Sequence, residues 1–265
     1  MAAAVALAGP SRGIVLILLA HVAFTTMDTT NKWLATSYPV GQIVWAFYLG
    51  FAAAALARAA RHGGIGAALA TRHRALHLLR AALLPVNMGC VVLALGLLPM
   101  AEVMAVGFLG VLVILRPGAA VFQPACLLIL AAAALFAVYQ ILTKILGRTD
   151  GPVSLTLYTA LVGAVLTSLV APFDLRAPDA TGWALLALTA AAGTVGHSLV
   201  IQALESTPAS VLQPFNFVQL VWATLAGYLV FGEVPDRYTV AGAAIVVGSG
   251  LYVWWRERVR AGAAA

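Results

Sequence analysis

Met27-Asp28-Thr29-Thr30-Asn31-Lys32-Trp33 is answered, 112 residues later, by Tyr139-Gln140-Ile141-Leu142-Thr143-Lys144-Ile145. Polar residues fall together in the two stretches: Asp28 on Gln140, Asn31 on Thr143, Lys32 on Lys144. A second match sets residues 94–99 on 203–208, an offset of 109. A third sets Gly110-Val111-Leu112-Val113 and Arg116 on Gly250-Leu251-Tyr252-Val253 and Arg256, an offset of 140. Self-similarity of this kind reads as duplication of one structural unit. The offset jumps by 31 between the last two matches, about one membrane helix and its turn. The first copy therefore lacks, after Gly110, material corresponding roughly to residues 218–249. Chance likeness between Ala-rich helices is the competing reading.

The medium around these copies follows from composition. Hydrophobic residues make up 63% of the 265 and charged residues 9%, against about 45–50% and about 25% in soluble domains. So few charges cannot cover so much apolar surface in water, and lipid is the solvent. Disorder, a disulfide-stapled secreted domain and a soluble nucleotide-binding enzyme are excluded. A ruler of about 20 apolar residues per span gives eight full spans, 13–37, 41–60, 76–98, 122–146, 152–171, 182–203, 211–231 and 238–255, and a short one, 100–115. The spans are rich in Ala, Leu and Gly, and small residues let helix backbones approach closely. Residues 1–11 offer no basic region before an apolar stretch, so the first span is expected to be a retained helix rather than a cleaved signal. Cys90 and Cys126 lie inside apolar runs and read as packing residues.

The net charge of +6 does not point to nucleic acid, because the basic residues cluster between apolar runs as cytoplasmic anchors do. Arg58, Arg61, Arg72, Arg74 and Arg80 put the connection after the second span, and hence the amino terminus, in the cytoplasm. Lys144 with Arg148, and Arg256, Arg258 and Arg260 near the carboxyl end, ask for the same side. The loop with Asp174, Arg176 and Asp179 is balanced and suits the outside. Nine single crossings contradict these assignments, since Lys144 and the Arg-rich end would then lie outside. The charges ask for one more crossing, or none, in the short fourth span. A unit with an odd number of helices makes its second copy enter from the opposite face, which is an inverted-topology repeat of the kind secondary transporters use. The domains are read as 12–118 and 122–258, an all-α polytopic membrane protein of about nine helices.

The chain also resembles EamA-type members of the drug/metabolite transporter superfamily. The resemblance rests on residues 27–34, on Pro39-Val40-Gly41-Gln42-Ile43-Val44-Trp45, on Leu97-Leu98-Pro99-Met100-Ala101-Glu102 and on Leu115-Arg116-Pro117-Gly118. It continues with Thr207-Pro208-Ala209-Ser210 leading to Phe231-Gly232-Glu233. It implies ten helices in two inverted five-helix copies, and transport of small organic molecules across the inner membrane. Two departures stand out: Phe47 occupies a place where the family often has Arg, and the material after Gly110 is missing.

Polar groups inside lipid are costly, and they persist where a partner or a water-filled cavity receives them. His21, Thr25, Asp28 and Lys32 share one face of the first span, a stripe that could line a substrate path. Asp28 could couple transport to a proton or cation, or simply pair with Lys32 and anchor the helix end. Tyr139 and Gln140 in the fifth span are candidate substrate contacts, with helix-to-helix hydrogen bonding as the alternative for Gln140. Asn87, beside Pro85, and Trp45 join them. His197 is either a packing residue or a second coupling group. The richest cluster is Gln213-Pro214-Phe215-Asn216-Phe217-Val218-Gln219, continuing to Trp222. Pro214 frees backbone groups, Gln213, Asn216 and Gln219 offer neutral donors and acceptors, and Phe217 and Trp222 offer apolar or stacking walls. Glu102 and Glu233 read as solvated caps. No metal-ligand spacing and no phosphate-cradling loop is present, so neither metal nor cofactor is expected. The expected function is an inner-membrane carrier of a small metabolite working by alternating access, with both termini cytoplasmic, protons as coupling ion and a homodimer as an allowed assembly. The alternative is a degenerate, non-transporting membrane subunit. An integral-membrane enzyme fits less well, because the acids and histidines are scattered.

Overall fold

A computed structural model describes residues 10–107 and 125–235, together with residues 240, 241, 244, 248 and 252. The helices are α1 Pro10–Leu34, α2 Val40–Arg61, α3 Ile65–Leu69, α4 Arg74–Leu97, α5 Met100–Gly107, α6 Ala125–Leu146, α7 Pro152–Val170, α8 Ala180–Ser206, α9 Ala209–Leu212 and α10 Val218–Phe231. Proline punctuates the starts, where its missing N–H is no loss: Pro39 caps α2 and Pro152 opens α7. Seven helices among the described residues are long and apolar enough to cross a membrane. Their outward faces are apolar: Leu169 is 65% exposed, Ile141 60% and Leu229 75%. Water would penalise such stripes and lipid does not. The chain is an all-α polytopic membrane protein. The short fourth span begins as α5, and the junction after Gly110 lies outside the described residues. Of the last span, residues 240, 241, 244, 248 and 252 are described, and all are helical.

Two compact units form, each assembled from both halves of the sequence. Unit 1 takes residues 1–29, 99–122 and 195–265, and unit 2 takes 30–98 and 123–194. In unit 2, α4 packs along α6 and α7, and α2 along α7. Gly163 of α7 lets the Tyr48 ring of α2 lie against the helix backbone, where any Cβ would overlap it. Tyr48 is fully buried and packs edge-on to Phe47 at 5.1 Å.

The ends of unit 2 carry different charge. At one end Asp150, just past α6, accepts hydrogen bonds from Thr71 and His77 at 3.0 Å each. Arg58, Arg61, Arg72, Arg74, Lys144 and Arg148 flank these segments in sequence. At the other end Tyr38 donates to Asp179 at 3.0 Å, and Gln42 exchanges two hydrogen bonds with the backbone of Arg176. The chain therefore leaves α4 and enters α6 at the same end of the unit, which answers the parity conflict in the charges. One anchor assignment is corrected: Arg80 is 1% exposed. It lies inside α4 because helix rotation turns it toward α6 and α7 rather than the cytoplasmic surface.

In unit 1, Ile17, Ala203 and Leu212 form a buried core with Phe215 packed on it. Gly13 lies against Thr207, a contact only a residue without Cβ allows. α10 ends at Gly232, whose φ of 67° is the left-handed cap glycine favours. Glu233 N–H then donates to the Gly227 carbonyl at 3.1 Å. That turn brings the Glu233 carboxylate to the start of α5, where it accepts the Met100 N–H at 2.9 Å. A carboxylate at a helix amino terminus meets unsatisfied N–H groups and the positive dipole end. Glu233 is thus a cap, but of another helix than its own.

Candidate functional site

The polar stripe of α1 and the Pro214 segment meet in unit 1. Pro214 has no N–H to continue an α-helix, and residues Gln213–Phe217 wind as a 3-10 helix between α9 and α10. Such a stretch inside a membrane span often marks a functional site. It turns Asn216 and Gln219 toward α1. His21 Nε2 lies 3.0 Å from Asn216 Oδ1, and His21 Nδ1 lies 2.8 Å from Gln219 Oε1. Gln219 Nε2 donates to Asp28 Oδ2 at 3.2 Å. The result is a continuous chain, Asp28–Gln219–His21–Asn216.

The hydrogens in this chain follow from inventory. Asp28 receives the amide N–H of Gln219, so the Gln219 carbonyl oxygen faces His21 and the ring must donate from Nδ1. His21 and Asp28 are each 5% exposed. Thr25, between them on the same face, is 7% exposed, and its hydroxyl has no partner among the described residues. Phe24 fits between two histidines, with its ring centroid 6.4 Å from His21 and 5.2 Å from His197. Gly196 makes room for it, since a Cβ there would come within 2.7 Å of the ring. Lys32 donates to the Leu98 carbonyl at 2.6 Å, at the end of α4. Asp28 and Lys32 thus each hold a partner of their own.

Of the residues singled out in the sequence, Asp28, Asn216 and His197 gather here. Phe217 lies in the 3-10 segment, half-buried, and Trp222 is exposed on α10. The Gln213 side chain lies outside the description. Tyr139, Gln140, Asn87 and Trp45 belong to unit 2. Asn87 donates to the Ala132 carbonyl at 2.7 Å, joining α4 to α6, and Trp45 donates to Ser168 at 3.0 Å. Gln140 is exposed, whereas Tyr139 is half-buried beneath the Arg80 guanidinium, 4.8 Å from its ring centroid. His21, read in the sequence as part of a polar stripe, and Gln219, read as one of the donors and acceptors of the Pro214 segment, join Asp28 and Asn216 in unit 1, although neither was expected to touch the other. The signal was in the spacing: His21 is one helical turn from Thr25 and two from Asp28, on the same face.

Outside the membrane segments, burial works to raise the Asp150 carboxyl, but hydrogen bonds from His77 and Thr71 prevail and hold it below the ordinary carboxylate value. Asp179 is held low by the Gly182 N–H first and the Tyr38 hydroxyl second.

Known proteins share this architecture. A solved crystal structure, 17% identical, superposes with a TM-score of 0.62 over 91% of this chain and 95% of its own, a likeness of fold. The S-adenosylmethionine uptake transporter of Rickettsia conorii is 30% identical over 156 residues, 59% of this chain and 53% of that protein. The riboflavin transporter of Vibrio cholerae is 34% identical over 157 residues, 58% and 53%. The chain thus spans about half the length of these relatives. The riboflavin transporter of Brucella anthropi matches more widely, 26% identical over 267 residues, covering 87% of this chain and 94% of its own. Residues 123–255 match the family described as EamA-like transporters, the stretch that holds α6 to α10 and with them Asn216 and Gln219. By that match, and by a membrane fold to suit it, the chain belongs to the EamA-like transporter family.

Proposed function

We propose that the chain carries a small organic metabolite across the inner membrane by alternating access, with the Asp28–Gln219–His21–Asn216 chain as its binding and coupling site. One observation carries this reading: a buried carboxylate and imidazole on α1 are tied to a broken helix in a family of transporters. Discontinuous membrane helices expose backbone and polar side chains where substrates and coupling ions bind. The relatives' named cargoes, S-adenosylmethionine and riboflavin, each join a flat nitrogen heterocycle to a hydroxyl-bearing five-carbon group, a ribose ring in one and an open ribityl chain in the other. Amide groups of Asn216 and Gln219 beside the rings of Phe24 and Phe217 suit such a solute.

His21 supplies the coupling. With Nε2 donating to Asn216 the ring is an imidazolium; with the Asn216 amide turned over, the ring accepts there and is neutral. One amide rotation separates two protonation states, a bistable element that protons and substrate can both bias. The basic end of unit 2 faces the cytoplasm by the positive-inside rule. The repeat reading gains support from helix pairing. α2 packs on α7, its counterpart in the other copy, and the two run in opposite directions. α4 packs on α6, while their counterparts α8 and α1 meet where Gly196 faces Phe24 and Thr189 donates to Asn31 at 2.8 Å.

The test is uptake of labelled S-adenosylmethionine and of riboflavin by proteoliposomes holding the purified full chain. Saturable uptake of at least one is expected. Asn216→Ala should cut it about tenfold or more, since a hydrogen bond to a charged group contributes about 1.5–3 kcal/mol. A folded protein that moves neither solute, nor any of a broader metabolite pool, would favour the non-transporting subunit that the shortened first copy suggests.

A further inference from the structure

Unit 2 contains a second polar centre, which the transport reading does not use. Arg80 sits on α4 two turns from its start and is 1% exposed. Its Nη2 donates to the Leu155 carbonyl at 2.8 Å and to the Thr159 hydroxyl at 2.6 Å, both on α7. Its Cζ stands 4.8 Å from the ring centroid of Tyr139 on α6. Among the described residues every one of these partners is neutral. The N–H groups on Nε and Nη1 have no partner among the described residues. A buried guanidinium cannot shed its proton, and a cation in lipid is held by a counter-charge or a cavity. Asp150, which His77 of the same helix reaches, is engaged by His77, Thr71 and Thr149.

A further unmatched donor belongs to the same unit. The Tyr48 hydroxyl is fully buried on α2 and has no partner among the described residues, and its ring lies against Gly163, one helical turn along α7 from the Thr159 that accepts from Arg80. Its ring is fixed by Gly163 on one side and by Phe47 and Phe51 on others. The hydroxyl cannot swing out to lipid headgroups or water without breaking that packing. Free N–H and O–H groups from α4 and α2, with no carboxylate among them, are the inventory of an oxyanion site, where charge-assisted hydrogen bonds are shortest and strongest.

We propose that Arg80, with Tyr48, binds an oxyanion, a carboxylate or a phosphate group, within unit 2. That group belongs either to a dissolved anion or to an anionic lipid headgroup. The site is separate from the Asp28–Gln219–His21–Asn216 chain and stands whether or not that chain carries solute.

Thermal unfolding of the purified full chain tests it without reference to transport. In neutral detergent the protein is titrated with inorganic phosphate and with acetate against chloride at equal ionic strength. In parallel it is unfolded in nanodiscs of phosphatidylcholine alone and with one quarter phosphatidylglycerol. A rise in Tm with phosphate or acetate identifies a dissolved anion; a rise only with phosphatidylglycerol identifies a headgroup. In either arm Arg80→Gln should abolish the rise, and Arg80→Lys should keep part of it. Tyr48→Phe, which retains the ring against Gly163, should raise the midpoint anion or lipid concentration several-fold and keeps the test alive if Arg80→Gln fails to fold. No rise in any arm, or a rise that survives both Arg80→Gln and Tyr48→Phe, overturns the proposal.

Discussion

His77, fully buried, gives its Nε2 N–H to Asp150 at 3.0 Å, and Thr71 adds its hydroxyl at the same distance. These bonds favour the carboxylate form, and the folded Asp150 titrates below its unfolded value of about 3.9. A group depressed in this way adds stability that is fully present above about pH 4 and is lost as pH falls through the folded value. Between pH 5 and pH 3 the wild-type Tm in detergent should therefore fall further than that of Asp150→Asn; equal falls would show that the bonds leave stability untouched. The same residue scale shows what the sequence hid. Arg80 and Arg58 look alike on the page, and the positive-inside rule counts both. Only the rotation of α4 decides that one of them is buried against Tyr139. Asp28 was legible, because a carboxylate within an apolar span demands an explanation. Its partner Gln219 was not, because contact between residues so far apart in sequence depends on how unit 1 closes.

At the scale of the element, helix ends were legible to within a few residues, since hydropathy and proline mark them directly. Helix contacts were not. Gly163 and Gly89 both sit inside membrane helices, yet their surroundings differ. A Cβ at Gly163 would overlap the Tyr48 ring, whereas nothing lies within 4 Å of one at Gly89. Overpacking of a fixed core costs about 1–3 kcal/mol, and the helix preference of Ala over Gly returns about 1 kcal/mol at most. Gly163→Ala should therefore lower the Tm, while Gly89→Ala should leave it unchanged or raise it. Thermal unfolding of both variants in one detergent decides the point, and a Gly163→Ala protein as stable as wild type would show that Tyr48 is free to move. Pro214 is the opposite case. Its identity announced a break, and the 3-10 turn at Gln213–Phe217 is the form the break takes.

At the scale of the whole molecule, a repeat read in the sequence does not by itself reveal the packing. The sequence is expected to divide near residue 120, but each compact unit takes segments from both sides of that point. Membership of the two units is set by long-range packing, and no local pattern encodes it. Lipid makes the spans easy to read, because length and hydropathy suffice. The assembly of those spans is set by small residues and scattered hydrogen bonds, such as Asn87 to Ala132 and Asn31 with Thr189. The central claim is that the His21 chain couples solute movement to a change of access. Counterflow measures it most directly: vesicles loaded with unlabelled solute are diluted into a trace of the labelled form. The account predicts a transient overshoot of label for S-adenosylmethionine or riboflavin with the wild-type chain, and none with folded His21→Ala. Folded wild-type protein without an overshoot for either solute, or an overshoot that His21→Ala leaves intact, would contradict it.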